Sequence, residues 1–472
     1  MMKIKILIIG SLTLAIGFMS CKKFLNVEPK TSLSDSQLFS SEQGFQQALN
    51  GVYAQLASRN LYGDKMTMGF MSALAQNYAL TTGSIDLIET VKLNYTSPEV
   101  QNHVSNIWST AYSAIAGVNK ILANAEEHKQ VFTDQNYGLI RGEALALRAF
   151  LHFDLLRLFG KEYGAGANLK AIPYKIDVSQ NANVPVTTAE VAKFALADLK
   201  QAEDLLKNID PIVTLGTLSR KNKLNYYAVK ALEARIRLYI DDKAGAAAAA
   251  NIVINSNKYT FVTPAQASAL STTTTTRDRL YFNEQIFMVR VRDMVNWTEI
   301  YFRFNGATNM KLTRSLSNFN TLYEVPGTGL TADIRYNYRI EDDGGNKFPS
   351  KYWQTTSSVL DSTRIDQYVP AIRLSEMYYI LAETAENPAV AIPYLNTVRR
   401  NRGLTNLVAG TPAALRTEIT KEHEKEFYAE GQLFFYYKRI KATTMRFRST
   451  AMTAAQYVLP IPDAELEFNP NY

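Results

Sequence analysis

Along most of the chain, apolar residues recur every three or four positions, the spacing that places them on one face of a helix. Between 139 and 159, Ile140, Ala144, Leu147, Leu151, Leu155 and Leu158 form such a stripe, and Gly160 stands where a C′ glycine would stop it. Thr187-x-x-Glu190 opens a second stretch, 188–207, as a capping box in which each side chain satisfies a backbone N–H that the helix start leaves free. Val191, Ala195, Leu199, Ala202 and Leu206 then share a face. Further helices are predicted over 42–57 and 103–125. Two helical hairpins follow: 223–240 with the Ala-rich 244–255, broken at Asp241-Asp242-Lys243, and 372–386 with 389–402, broken at Asn387-Pro388. Each is close to the tetratricopeptide period of roughly 34 residues. The consensus Trp and Gly positions are not all filled, so spacing alone leaves tetratricopeptide-like pairs and an ordinary helical bundle both open.

Between 256 and 370 the pattern changes. Gln285-Ile286-Phe287-Met288-Val289-Arg290-Val291 and Ile300-Tyr301-Phe302-Arg303-Phe304 alternate as short strands do. Around them lie Ser271–Thr276, Pro326-Gly327-Thr328-Gly329 and Glu341-Asp342-Asp343-Gly344-Gly345-Asn346, all turn-forming or low in complexity. The chain thus divides into helical pairs over 42–255, a loop-rich, short-strand insertion over 256–370, and a C-terminal helical pair and tail over 371–472. Its length exceeds the size at which a single core usually stops growing, so one large unit or two interlocked parts are expected.

The first residues belong to none of this. Lys3 and Lys5 precede an apolar run from Ile6 to Met19, which is too short to span a bilayer, then Ser20 and Cys21. That order describes a secretory signal over 1–20. Cys21 is the only cysteine, so no intrachain disulfide can form, and its place after a small residue is that of a lipobox cysteine acylated after cleavage. Residues 21–41 then read as anchor and tether, held stably because several acyl chains bury enough CH₂ groups. Without Lys3 and Lys5 the balance is 49 basic against 44 acidic residues, or +5, with the two signs interleaved. No basic block marks a nucleic-acid partner.

Motifs for catalysis are mostly missing. His103, His128, His152 and His423 fall in no metal-ligand spacing, and His423-Glu424 begins a zincin motif that Phe427 breaks. Gly164-Ala165-Gly166 lacks the third glycine and the strand of a nucleotide-binding turn. Asp342-Asp343-Gly344-Gly345 has oxygen donors for Ca²⁺ but reads more simply as a solvated turn, and no cofactor is expected. Glu422, Glu424 and Glu426, interleaved with Lys421 and Lys425, read as a charged helix face. Trp108, beside Ala111 and Ile115, reads as core. What the chain has in quantity is aromatics: 27 Tyr, 22 Phe and 3 Trp. Those in irregular segments, Tyr78, Tyr95, Trp297, Tyr352 and Trp353, are the candidate ligand-binding residues, since flat rings in loops suit stacking on a sugar ring or a peptide side chain; packing beneath a loop is the alternative for each.

Several segments, in order, resemble the SusD/RagB family, lipoproteins that cap TonB-dependent outer-membrane transporters in Bacteroidetes. They are Cys21-Lys22-Lys23-Phe24-Leu25-Asn26-Val27-Glu28-Pro29-Lys30, Gly44-Phe45 through Gly51-Val52-Tyr53, and Trp108-x-x-x-Tyr112 leading to Asn119-Lys120-Ile121-Leu122. Gly142-Glu143-Ala144-Leu145-Ala146-Leu147-Arg148-Ala149-Phe150 running to Arg157-Leu158-Phe159-Gly160 continues the series. Ile372-Arg373-Leu374-Ser375-Glu376, Leu395-Asn396-x-Val398-Arg399, Leu459-Pro460-Ile461-Pro462 and Asn469-Pro470-Asn471 complete it. Near the C-terminus, Glu430-Gly431-Gln432-Leu433-Phe434-Phe435-Tyr436-Tyr437-Lys438-Arg439 replaces the family's usual run and reads as a subgroup marker. The resemblance implies a mainly α fold, a SusD-like superhelix of four tetratricopeptide-like pairs supporting an irregular ligand-side half. It also implies a non-enzymatic, lipid-anchored protein of the cell outer membrane, facing outward, that captures oligosaccharides and delivers them to a SusC-like TonB-dependent transporter. Peptide capture, a secreted hydrolase and a pure interaction scaffold are the competing readings. The family's ligand contacts follow no fixed motif, so the resemblance assigns no binding residue.

Overall fold

The computed structural model describes residues 34–80, 87–179, 182, 184–215, 218–270, 278–302, 312–343, 346–353 and 366–472. Cys21 and the expected signal lie outside the described residues. Three helix pairs come first. Helix α1 (Glu42–Leu56) lies on α2 (Pro98–Glu127), α3 (Asn136–Phe159) on α4 (Thr188–Leu206), and α5 (Tyr226–Tyr239) on α6 (Lys243–Asn255). Ser41, Ser97, Thr187, Asn225 and Asp242 fix five of these starts, each accepting a backbone N–H of the first turn, and both arms of the Thr187/Glu190 box are made. A short antiparallel ribbon, β1 (Lys170–Ile172) with β2 (Val186–Thr187), joins α3 to α4.

The stripe read for α3 understates its burial, because every residue from Gly142 to Phe159 is enclosed. A helix sunk in this way must neutralise its own polar side chains. Glu143 therefore takes Arg220 at 2.6 Å, Arg148 donates twice to Asp198 at 2.7 Å, and Arg157 pairs with Asp154. Gly160 does end α3, but in extended backbone (φ −81°, ψ 158°) and not in the left-handed cap expected from sequence. Space explains the glycine: a Cβ there would sit 2.9 Å from Leu156 Cδ1. Buried Lys438 completes the end, its Nζ donating to Arg157 O (2.6 Å) and Gly160 O (2.5 Å), which satisfies carbonyls that the helix end leaves free.

In the inserted region, β3 (Gln285–Arg290) precedes α7 (Val295–Phe302). The hairpin β4 (Ile340–Asp343) and β5 (Asn346–Pro349) follows, and then β6 (Tyr368–Arg373), which pairs antiparallel with β3 so that Val289 faces Val369. The 300–304 strand expected from sequence is thus corrected: Ile300, Tyr301 and Phe302 end helix α7. Trp297, Thr298, Tyr301 and Phe302 are its buried residues, a helical spacing that a five-residue window of alternation cannot distinguish from a strand. Asp342 and Asp343 end β4, whereas Gly344 and Gly345 lie outside the described residues; among the described residues no cluster of three metal-ligating side chains occurs.

From β6 the chain enters α8 (Leu374–Thr384), which packs on α9 (Pro388–Asn401) as a fourth pair and also on α6, so the frame continues in space across the insertion. Helices α10 (Pro412–Glu426) and α11 (Gln432–Arg439) close it. The fold is mainly α, tetratricopeptide-like pairs carrying a loop-rich, short-strand part. One hydrophobic cluster runs from Phe39 to Leu459 through all four pairs.

The charged run on α10 departs most from the sequence reading. Glu422 and Glu426 are fully buried, and Glu424 and Lys425 nearly so; the charged helix face is turned inward. Glu422 and Glu426, one turn apart, point together at arginines that arrive from elsewhere in the chain. Arg335 Nη1 donates to both at 2.9 Å while its Nε and Nη2 hold Asp333. Arg402 bridges Glu426 (2.6 Å) and Glu284 (2.6 Å), and Arg399 reaches Glu422 at 2.8 Å. Arg373 Nη1 lies 2.9 Å from Glu426 Oε1, an ion pair not aligned as a hydrogen bond, and its Nη2 donates to Glu426 O. Burial alone would raise the Glu426 carboxyl, but Arg402, Arg373 and Arg335 outweigh it and hold it well below the usual carboxylate range.

Three outcomes are expected. Glu426→Gln leaves three buried guanidiniums short of charge and lowers the urea-denaturation free energy by about 3–5 kcal/mol. The stability that Glu422 and Glu426 contribute is complete above about pH 4.5 and is lost as the pH falls below it, because the unfolded chain takes up protons first. Lys438 acts in the opposite range: burial pushes its amine down to about 7, against about 10.4 when unfolded. The unfolded chain therefore holds more protons between these values, and stability rises with pH across that window. Comparing urea midpoints at about pH 7.5 and 9.5 should show this rise flattened in Lys438→Met.

Candidate functional site

Helix α7 gathers the aromatics of the inserted region. Phe302 meets Tyr78 (ring centroids 6.4 Å apart) and Tyr352 (5.9 Å), and Tyr78 meets Tyr428 edge-on at 6.3 Å. Their hydroxyls are already used: Tyr78 donates to Met68 O (2.6 Å) and Tyr352 to Ala429 O (2.8 Å). Tyr78 and Tyr352 are fully buried and present no ring face to solvent. They form a floor. That floor is tight because Gly431, at φ +74°, brings the 427–431 turn against the 66–78 segment, where a Cβ would meet Met66 O at 2.1 Å.

Above this floor Trp297 and Tyr301, one turn apart on α7, face Arg59 and Asp64. The Arg59 guanidinium carbon sits 5.2 Å from the Trp297 ring centroid and 6.0 Å from that of Tyr301. Arg59 donates through Nε (3.1 Å) and Nη2 (2.9 Å) to Asp64 Oδ2, and Tyr301 donates to the same oxygen at 2.9 Å. Burial raises the Asp64 carboxyl against the pull of Arg59. Two features set this group apart. The Arg59 side chain is 53% exposed, and the Trp297 indole N–H, though buried, has no acceptor among the described residues. A buried donor without an acceptor is uncommon enough to require an explanation.

Trp353, next to Tyr352 in sequence, is half-buried, with Phe348 at 5.0 Å and the Arg279 guanidinium 5.3 Å from its ring. Both tryptophans of this region thus carry an arginine on the ring. Tyr95 is placed elsewhere: its hydroxyl donates to Gln456 O in the C-terminal segment. Trp108 is core, as read from sequence, with its indole N–H on Glu465 at 3.2 Å. Arg59, Asp64 and Tyr301 escaped the sequence reading, since no local pattern links Arg59 and Asp64 to a tyrosine more than 200 residues further on.

Comparison with known proteins agrees with this architecture. A SusD-like family model described as starch-binding and associating with the outer membrane matches residues 23–238, and the SusD family model matches 273–452. Two SusD-like proteins of Formosa agariphila are 28% identical over 245 residues and 27% identical over 185 residues. The first match covers 52% of this chain and 44% of the relative, the second 39% and 34%, so each spans less than half of the curated relative's length. Among solved structures, a SusD superfamily protein from Bacteroides thetaiotaomicron superposes with a TM-score of 0.70 at 21% identity, over 91% of this chain and 98% of that one. A SusD-like carbohydrate binding protein from Bacteroides vulgatus gives 0.71 at 17% identity, over 91% and 97%. Helical pairs carrying a loop-rich, short-strand part define a class of helical-repeat proteins. Within that class, this chain belongs to the SusD family.

Proposed function

We propose that the protein is a lipid-anchored outer-membrane binding protein that captures oligosaccharides and passes them to a SusC-like TonB-dependent transporter, with binding and not catalysis as its role. The observation that carries the glycan reading is the Trp297 group: an unused buried indole donor, a half-exposed guanidinium and a carboxylate around one aromatic ring. Sugars present apolar C–H faces and a rim of hydroxyls that both donate and accept, and such a ring with polar groups beside it complements them. In this reading half-buried Trp353 and the exposed Arg59 side chain meet the ligand first, and Trp297, buried beneath the Arg59 guanidinium, contacts it once that side chain swings aside. Tyr78 and Tyr352 support them from beneath, and Tyr95 joins them only if the C-terminal segment moves.

Support for the anchor is the lipobox position of Cys21, together with the absence, among the described residues, of any helix long and apolar enough to cross a membrane. Intrinsic tryptophan fluorescence of the mature protein, titrated with α-glucan and β-glucan oligosaccharides and with a peptide pool, tests the reading. Saturable quenching by one glycan, weakened at least about tenfold in Trp297→Phe and unchanged in Trp108→Phe, is expected, a loss of roughly 1.4 kcal/mol. Saturation by peptides alone would transfer the role to peptide uptake, and no saturation with any pool would end the binding reading. Cys21→Ala should release the protein from the membrane fraction.

A further inference from the structure

A groove runs along α2, built from other elements than the Trp297 group. Ser105, Ser109, Tyr112 and Ala116, at helical spacing, form its floor. Pro173 and Lys175 stand on one side, and Pro462, Glu465 and Phe468 of the C-terminal segment on the other. It measures about 580 Å³, within the roughly 300–1,000 Å³ of ligand pockets.

The groove is aromatic at the bottom and acidic on one rim. Trp108 and Tyr112 line it with ring centroids 4.8 Å apart. Phe468, which ends the short helix α12 (Asp463–Phe468), has its side chain 75% exposed, and Leu466 and Tyr472 close by are exposed as well. Apolar groups gathered in this way mark a surface that something covers. Asp463, Glu465 and Glu467 stand on the same helix, and none has a cation within ion-pair distance among the described residues. Glu465 accepts instead from the Trp108 indole N–H (3.2 Å) and from Asn469 (2.7 Å).

The start of the frame decides what can reach this groove. Ser34 is the first described residue, and the next, Asp35, pairs with Lys120 Nζ at 2.7 Å. Lys120 lies one turn beyond Ala116 on the same stripe of α2, so the chain enters the frame in line with the groove floor. Tyr112 is about 12 Å from Lys120 along the helix axis. The 13 residues from Cys21 to Leu33 reach at most about 43–47 Å, ample for that distance. Their sequence complements the groove: Phe24, Leu25, Val27 and Pro29 are apolar, and Lys22, Lys23 and Lys30 on either side carry charge opposite to the α12 rim. Glu28 is the one acid of the segment, and Lys175 the one cation lining the groove.

We infer that this chain's own residues 24–30, Phe24-Leu25-Asn26-Val27-Glu28-Pro29-Lys30, occupy the groove, with the apolar side chains on Trp108, Tyr112 and Phe468 and the lysines towards the α12 carboxylates. A separate partner would compete with a segment that a short connection holds at about millimolar effective concentration. Docked, the segment leaves only Cys21 to Lys23, about 10–11 Å of chain, between the groove and the acyl groups, which brings α2 and α12 against the membrane. That consequence rests on the lipid-anchor reading; the docking does not.

Trypsin cleavage after Lys30 tests it, in the mature chain carrying Cys21→Ser, with sedimentation of each variant alongside. Cleavage should be slow, and at least about tenfold faster in Leu25→Ser, in Phe468→Ser and in Asp463→Lys with Glu467→Lys, because each raises the undocked population. Phe468, Asp463 and Glu467 are exposed, so these changes leave the frame folded. Leu330→Ser, at an equally exposed leucine of the inserted region, should leave the rate unchanged. The same cleavage rate in every variant would overturn the inference. Conversion of a dimer to a monomer by Phe468→Ser, with cleavage unchanged, would overturn it in favour of a second copy in the groove. Membrane release by Cys21→Ala reads the anchor separately, so failure of one reading is distinguishable from failure of the other.

Discussion

One buried glutamate ties the inserted region to the C-terminal helices. Glu426, at the end of α10, accepts from or pairs with Arg335, Arg373 and Arg402, and each arrives from a different element. Arg373 ends β6, Arg402 follows α9, and Arg335 lies in the inserted region. Through Arg402 the connection extends to Glu284 at the start of β3. A buried charge left alone is expensive, so these elements are stable only in company. Strands of four to six residues, paired only in twos among the described residues, have little stability of their own. Their charge contacts with α9 and α10 give them a fixed place.

The candidate site inherits that dependence. Gly431 and Ala429, just beyond α10, form the turn on which Tyr352 and Tyr78 are seated, and those rings carry α7 with Trp297. Lys351 adds a further link, donating to Glu430 at 2.6 Å beside Tyr352. Position at the candidate site is thus set by the frame, while the groups that would meet a ligand, Arg59 and the Trp297 indole, keep unused capacity. Rigid support beneath a partly unsatisfied surface is what preorganised recognition requires.

Much of the frame was legible because its signals are local. A stripe such as Val191 to Leu206 and a cap such as Thr187 act within one or two turns, and the helices predicted from them came out within five residues of their true ends, whereas α7, α10 and α11 were given no bounds. Gly160 shows the limit: its place was readable, but its reason, contact with Leu156, depends on packing. The α10 charges were misread for the same cause. Glu and Lys alternating on a helix look alike whether water or arginine faces them, and Arg335 and Arg402 are not neighbours in sequence. At the site, Tyr78, Trp297 and Tyr352 do converge on α7, yet which rings lie beneath and which stay reachable was not written in their spacing. The polar groups around Trp297 had no local signal at all.

The dependence of the inserted region on Glu426 is most directly tested by native-state hydrogen exchange in Glu426→Gln. Amides of β3 and β6 should lose protection together, while those of α1 to α4 keep theirs. Uniform loss across the chain, or unchanged protection of β3 and β6, would contradict the account.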